Sequence, residues 1–283
     1  MDRYLLRYFL AIVETGNFSR AAARENVAQP TLSAGIAKLE GELKARLFDR
    51  TNRRVHLTEA GSRFLVHARR IEHEFNLAQA AVSGAAQPQL LRVAVLSTIP
   101  TALVAEALAA RRSEQVELLE GSEREVVSLL DRGRADLALT IINPSTERFA
   151  SERLHEEGYS LALPVQHRLA GAGALDGEAL ADEVMMVRRH CEALAQTSRY
   201  FTDRGVRPFF SYRGTSDDKI LSLVAAGLGI TVMPDSHRAE GVARVALEGF
   251  TPRRTLGLCY AGEAARHRTS GFVAAAREIL GAL

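Results

Sequence analysis

Apolar residues near the start of the chain fall into three short helical runs, and the third run constrains the fold most. Leu5, Leu6, Phe9, Leu10, Ile12 and Val13 recur at helical spacing, which predicts a first helix over residues 3–14. Gly16-Asn17 breaks it, and Ser19 is suited to cap a second helix from Arg20 to about Asn26. Val27-Ala28-Gln29 is a tight link. Pro30 then fits the first turn of a third helix ending near Leu43, where its missing N–H is no loss. On that helix Leu32, Ile36 and Leu39 share one face, while Gln29, Thr31, Ser33, Ala34 and Gly35 fill the opposite one. An outward face of short side chains, with no run of charges, is what a helix needs to enter the major groove of DNA. Long anionic side chains would be repelled by phosphate, and bulky ones would hold the helix off. Two short helices joined this way read as a helix-turn-helix. Gln29, Thr31 and Ser33 then sit at the N-terminal end that contacts base edges and phosphates, and that end also favours an anion through its free N–H groups.

Charge placement agrees. Net charge is only +2 over 283 residues, but Glu42–Arg70 carries eight bases against three acids, leaving −3 for the remainder. Basic clustering at one end suggests an anionic partner for that end. Arg46–Arg50 and Arg54–Leu57, separated by Thr51-Asn52-Arg53, read as a small hairpin. Its Arg50, Arg53 and Arg54 would lie on the DNA backbone or in the minor groove.

Thr58 can cap a long helix whose stripe Phe64, Leu65, Ala68, Ile71, Phe75, Ala78 and Val82 asks for a partner, and so reads as a dimer seam. Ser83–Pro88 reads as a linker. Beyond it the texture changes to strands alternating with helices: strand Leu90–Leu96, helix Thr101 to about Arg112, strand Val116–Glu120, helix Ser122–Asp131 and strand Asp136–Ile142. That alternation implies βαβ units and a parallel sheet. Strand-like segments follow at Tyr159–Leu163, Val184–Val187, Phe209–Arg213, Gly229–Met233, Val242–Leu247 and Leu256–Tyr260, with a last helix over about Ala264–Leu280. No G-x-S-x-G, H-E-x-x-H, phosphate-binding glycine loop or dinucleotide fingerprint occurs, so catalysis is not expected and neither a cofactor nor a metal is implied. No long apolar run predicts a membrane span, and the start lacks the pattern of a secretory signal, so a cytoplasmic protein is expected. The missing signal and the helix-turn-helix together disfavour a solute-binding transport protein. Two distant cysteines, Cys191 and Cys259, read as reduced structural thiols.

The stretch Phe18-Ser19-Arg20-Ala21-Ala22, then Val27–Ser33, then Ile36-Ala37-Lys38-Leu39-Glu40, resembles the LysR-type transcriptional regulators. Leu47-Phe48-Asp49-Arg50-Thr51 and Leu57-Thr58-Glu59-Ala60-Gly61 continue the resemblance, as do Tyr159–Pro164 and Val224–Pro234 in the second half. Three positions depart from the family pattern. Glu25 stands at a usual leucine, Gly35 at a common glutamine of the recognition helix, and Lys44 at the glycine that often ends that helix.

The resemblance implies a multidomain α+β and α/β chain. Residues 1–58 form a winged helix-turn-helix and residues 59–88 a linker and dimerisation helix. Residues 89–283 form a two-lobed effector domain like periplasmic-binding proteins, with lobe I about 89–162 and 254–283 and lobe II about 163–253. It further implies DNA contacts by Ser19, Gln29, Pro30, Thr31, Ser33, Lys38, Arg50, Thr51, Arg53 and Arg54, and a dimer or tetramer reading an interrupted palindrome in double-stranded DNA. Effectors in this family sit between lobes, where Ser97 and Thr98 close the first strand and Asn143 and Thr215 hold equivalent mouth positions. Arg188-Arg189-His190-Cys191 would line the second lobe's face. That cationic cluster suits a small anionic effector such as a carboxylate, and would lower the Cys191 thiol pKa. The alternative is a peroxide sensor, since such members carry a cysteine in a similar His-Cys context. They also carry a resolving cysteine soon after it, and none occurs here between Glu192 and Phe210.

Overall fold

The computed structural model describes residues 1–51, 54–83, 90–110, 114–267 and 269–283. The chain divides into two compact units, Met1–Gln89 with Asp131–Arg134, and Leu90–Leu130 with Ala135–Leu283.

In the first unit α1 (Arg3–Thr15), α2 (Phe18–Arg24) and α3 (Gln29–Leu43) are followed by the antiparallel hairpin β1 (Phe48–Thr51) and β2 (Arg54–Leu57), then α4 (Glu59–Ser83). The second helix starts earlier than the sequence suggests. Asn17 has extended backbone, and its side chain accepts from the N–H groups of Ser19 and Arg20, so Asn17 is the cap and Ser19 lies in the first turn. Leu5, Phe9, Ile12, Leu32, Ile36, Leu39 and Leu47 are buried together, with the Phe9 ring 5.2 Å from Phe48 and 5.0 Å from Phe64. Each such large side chain contributes about 1.5–3 kcal/mol on leaving water.

The first half of the α4 stripe belongs to this core. Phe64, Leu65, Ala68 and Ile71 pack against it, which corrects the reading of the whole stripe as a dimer seam. Only Phe75 and Ala78 of the described stripe remain exposed. Arg3 braces the two helices, donating to Glu72, Asn76 and Gln79. Thr58 caps α4 by accepting from the Gly61 N–H at 2.9 Å, while its hydroxyl donates to the Arg46 carbonyl at 2.7 Å. A Cβ on Gly61 would lie 2.1 Å from the Leu47 carbonyl oxygen, so the close approach of wing and helix requires glycine there.

The three departures each have a structural outcome. Glu25 pairs with Arg7 at 2.8 Å, and Arg24 pairs with Glu14. Gly35 is not on the outward face. It is buried, and a Cβ there would meet the Tyr8 ring at 2.7 Å. Lys44 adopts the left-handed conformation that glycine would take more easily, with φ 52°.

The second unit has two lobes. Lobe I is built from β3 (Leu91–Leu96), α5 (Thr101–Ala109), β4 (Val116–Gly121), α6 (Glu123–Asp131), β5 (Leu137–Ile141) and β6 (Ala150–Glu157). The chain crosses to β7 (Tyr159–Pro164), β8 (Ala174–Leu175), the 3-10 turn Gly177–Leu180, β9 (Val184–Arg188), α7 (Leu194–Asp203), β10 (Phe209–Gly214), α8 (Asp217–Ala225), β11 (Thr231–Pro234) and β12 (Val242–Leu247). It returns through β13 (Arg254–Tyr260), α9 (Glu263–His267) and α10 (Gly271–Gly281). The lobe I sheet has the order β4-β3-β5-β13-β6, parallel among β4, β3 and β5 and antiparallel at β13. Lobe II pairs β11-β7-β12-β8, with β9 and β10 parallel and bridged to it at Met185 and Ile230.

The lobe boundary near residue 162 is corrected. Tyr159–Pro164 pairs with β11 and β12 and so belongs to lobe II, which places the outward crossing at Gly158. The single last helix is also corrected to two, because Ser270 has extended backbone and caps a new helix through the Val273 N–H.

Candidate functional site

Two regions carry the chemistry. In the first unit, the outward side of α3 exposes Gln29, Pro30, Thr31, Ala34, Ala37 and Lys38 around a half-buried Ser33. Gln29 donates to the Ser33 hydroxyl at 2.9 Å, so the two form one hydrogen-bonding unit at the helix start. Lys38 is 3.2 Å from both Asp2 and the Tyr4 hydroxyl, and this pairing holds its ammonium at the helix flank. Ser19 is exposed in the first turn of α2. The backbones of Arg50, Thr51 and Arg54 stand in the wing strands, and Arg53 lies outside the described residues. Glu40 fixes the wing to α3 by accepting from the N–H groups of Leu47 and Phe48 at 2.7 and 3.3 Å. Sequence reasoning had passed over Glu40, whose position on a helix gives no sign of its use.

The second region lies between the lobes. A cleft of about 570 Å³ is lined by Ser97, Thr101, Ser122, Glu125, His190, Thr215 and Asp218, among others. Each polar group sits at a strand end or helix start, as open α/β architecture dictates. The Ser97 hydroxyl is buried and, among the described residues, has no hydrogen-bond partner. Thr101 of lobe I donates to Asp218 of lobe II at 2.5 Å. Glu125 accepts from the Ser122 hydroxyl and N–H, which holds its carboxyl below the usual range.

Beside the cleft the lobes share a buried charged clasp. Arg254 donates to Glu157 at 2.8 Å, to the Thr98 carbonyl and hydroxyl oxygens at 3.1 Å, and to Glu192 of lobe II at 3.0 Å. The Thr98 hydroxyl also bonds Glu192, and Ser236 of lobe II donates to Glu157 through its N–H and hydroxyl. Burial would raise the Glu157 carboxyl, but Arg254 and Ser236 outweigh it and hold it below the usual range.

Three expected effector residues therefore stand elsewhere. Thr98 is buried in the clasp and is absent from the cleft wall. Asn143 serves a turn, donating to Glu123 at 2.7 Å and accepting from the Ser145 N–H. Cys191 lines a different cavity within lobe II. The expected cationic cluster is divided: Arg188 is buried and bound to Asp217, with His237 3.3 Å from the same carboxylate, Arg189 lines the other cavity, and His190 lines the cleft. Burial pushes the Cys191 thiol pKa up and outweighs the opposing pull of Arg188, the reverse of the activation expected from the sequence. Cys259 is fully buried in β13, and burial pushes it up to about 11.

Comparison with known proteins gives this architecture its place. Residues 4–62 match the bacterial regulatory helix-turn-helix proteins of the lysR family, and residues 85–281 match the LysR substrate binding domain. The chain belongs to the LysR family. It is a LysR-type DNA-binding regulator with an effector-binding domain, and regulators of this family are generally not enzymes. The probable hydrogen peroxide-inducible genes activator of Mycobacterium avium is 31% identical over 277 residues, covering 92% of this chain and 88% of that one. The dual regulator OxyR of Escherichia coli K12 is 29% identical over 268 residues, covering 90% and 88%. Among solved structures, a full-length OxyR variant from Pseudomonas aeruginosa matches with TM-score 0.69 at 24% identity over 100% of this chain and 94% of that one. Full-length CbnR complexed with its target DNA matches with TM-score 0.57 at 22% identity, covering 99% of both chains. These structural likenesses bear on the fold of the LysR-type chain.

Proposed function

We propose that this LysR-type regulator acts in the cytoplasm as a dimer or tetramer on an interrupted palindrome, and that a small effector in the inter-lobe cleft alters its hold on DNA. The observation that carries the effector reading is the buried Ser97 hydroxyl, which has no partner among the described residues and belongs to the wall of a polar cleft. A ligand group that bonds it removes the penalty of an unsatisfied buried hydroxyl. The starts of α5 and α8 on the same cleft favour a carboxylate, while Glu120, Glu125 and Asp218 favour a cation. An amino-acid-like molecule carrying both charges fits better than a plain anion. Binding shifts the population of lobe arrangements by its differential affinity for them.

On the DNA side, Gln29, Pro30, Thr31 and Ser33 would face base edges and adjacent phosphates. Ser19, Lys38, Arg50, Thr51, Arg53 and Arg54 would hold the backbone. The test is fluorescence anisotropy on the DNA upstream of the gene, over a salt series, with and without candidate amino acids. Gln29→Ala should lose preference for the cognate site, and Arg53→Ala should weaken all sequences and lower the salt slope by about one. Equal salt slopes for Arg53→Ala and parent would remove the wing from the contact set. Amino-acid effects that persist unchanged in Ser97→Ala would remove that hydroxyl from the effector site.

The peroxide names of the relatives raise a thiol switch as the alternative, since His190-Cys191 is present. The raised thiol pKa and the second cysteine sealed in the lobe I sheet speak against it. Operator binding unchanged by mild peroxide would agree with the ligand reading, and a peroxide response lost in Cys191→Ser would reverse the order.

A further inference from the structure

Lobe II contains a second, larger cavity that the cleft reading does not use. It measures about 960 Å³ and is lined by lobe II residues alone, with Glu192 of the inter-lobe clasp in its wall. Its walls include Met185, Val187, Leu194, Phe201, Val206 and Phe210, and the Cys191 thiol also lines it. Its size sits at the upper end of ordinary small-molecule pockets, about 300–1,000 Å³. The wall also holds Thr197, Ser198, Thr231 and the buried Arg188, which is committed to Asp217, together with three exposed guanidinium groups, Arg189, Arg207 and Arg213. Arg213 stacks on the Phe210 ring at 4.7 Å. Among the described residues none of the three has a carboxylate partner. The acid in the wall, Glu192, is already bound by Thr98, Arg254 and the Tyr159 hydroxyl.

Mostly apolar walls, with three cations lacking a carboxylate partner among the described residues and with Arg188 and Glu192 already committed, select a ligand with a hydrocarbon body and an anionic head. We infer that lobe II carries a second ligand site, for an apolar carboxylate of fatty or arylalkyl type. The hydrocarbon lies against Met185, Val187, Leu194 and Phe201, and the carboxylate meets Arg207 or Arg213. α7 forms one wall and begins beside Glu192, so an occupant that moves α7 also acts on the inter-lobe clasp.

The test uses sodium decanoate, below its micelle concentration, with the full chain. Titration calorimetry reads affinity, and iodoacetamide labelling of Cys191 reads location. Cys259 is sealed in the lobe I core, so it does not confuse the label. Decanoate should bind saturably and slow Cys191 labelling. Arg207→Gln and Arg213→Gln should each weaken binding by about tenfold if the group meets the carboxylate, as loss of a charge-assisted bond does. Decanol should bind no better than these variants bind decanoate, and Ser97→Ala should leave decanoate affinity unchanged. Absence of saturable binding overturns the inference. So does equal binding of decanol and decanoate, or loss of decanoate binding in Ser97→Ala, which would place the molecule in the cleft. Protection of Cys191 that follows protein concentration and ignores decanoate would show that a second copy of the chain covers the cavity, and would also overturn it.

Discussion

Arg254→Met removes the one cation of the inter-lobe clasp. Glu157, 3% exposed, and Glu192 then lose their shared partner, and the Thr98 carbonyl loses a donor. Breaking a buried pair from one side costs about 3–5 kcal/mol. Glu157 keeps its two bonds from Ser236, so the lower end, about 3 kcal/mol, is expected. At roughly 2–4 °C per kcal/mol for a domain of this size, the melting midpoint falls by about 6–12 °C. The pH dependence identifies the cause. In the parent the Glu157 pKa lies below its unfolded value of about 4.3, so its stabilisation is full above that value and is lost as pH falls through the folded pKa. In the variant the buried carboxyl loses its cation and its pKa rises, so protonation relieves the strain as pH falls. The deficit should therefore be larger near about pH 7.5 than near about pH 5. Thermal unfolding followed by far-ultraviolet circular dichroism at both pH values measures it. A loss under about 1 kcal/mol, or one equal at both pH values, would refute the claim that Arg254 compensates a buried Glu157 charge.

Gly35→Ala gains about 1 kcal/mol of helix propensity but forces a Cβ into Tyr8, where overpacking costs about 1–3 kcal/mol. Urea unfolding should show no stabilisation, and a gain of the full propensity would place Gly35 off the core. Lys44→Gly relieves a left-handed lysine and should stabilise the DNA-binding unit by about 0.5–1 kcal/mol, read as a higher urea midpoint. The raised Cys191 pKa predicts an iodoacetamide rate still climbing between about pH 8.5 and 9.5, whereas a plateau by about pH 7 would indicate an activated thiolate. Acidification should destabilise lobe II early. Burial and Arg188 hold the neutral form of His237, so the unfolded chain binds its proton first and stability falls as pH drops below about 6.5. Asn in place of His237 should flatten that slope.

The sequence determined the elements whose signals are local. The periodicity of α1, the proline at the start of α3, the two wing strands and the apolar runs of β3 and β5 are short-range, and each formed close to where it was expected. It also exposed most of the short-side-chain face of α3, because a helix period fixes which residues share a side, although Gly35, expected there, is buried against Tyr8. The edge strand β6 was passed over because Ala150–Glu157 buries little, so its sequence is mostly polar. Tertiary structure alone decided where buried charges went. Nothing in the spacing of Thr98, Glu157, Glu192 and Arg254 shows that four distant segments meet, since an ion pair carries no sequence period. The same holds for Arg188, which was expected at an open cationic mouth and instead neutralises Asp217. Partner choice among ionisable groups depends on burial, and burial is a property of the assembled lobes. That is why the sequence named the family and its helix-turn-helix, while the cleft wall, the clasp and the lobe II cavity emerged only from the fold.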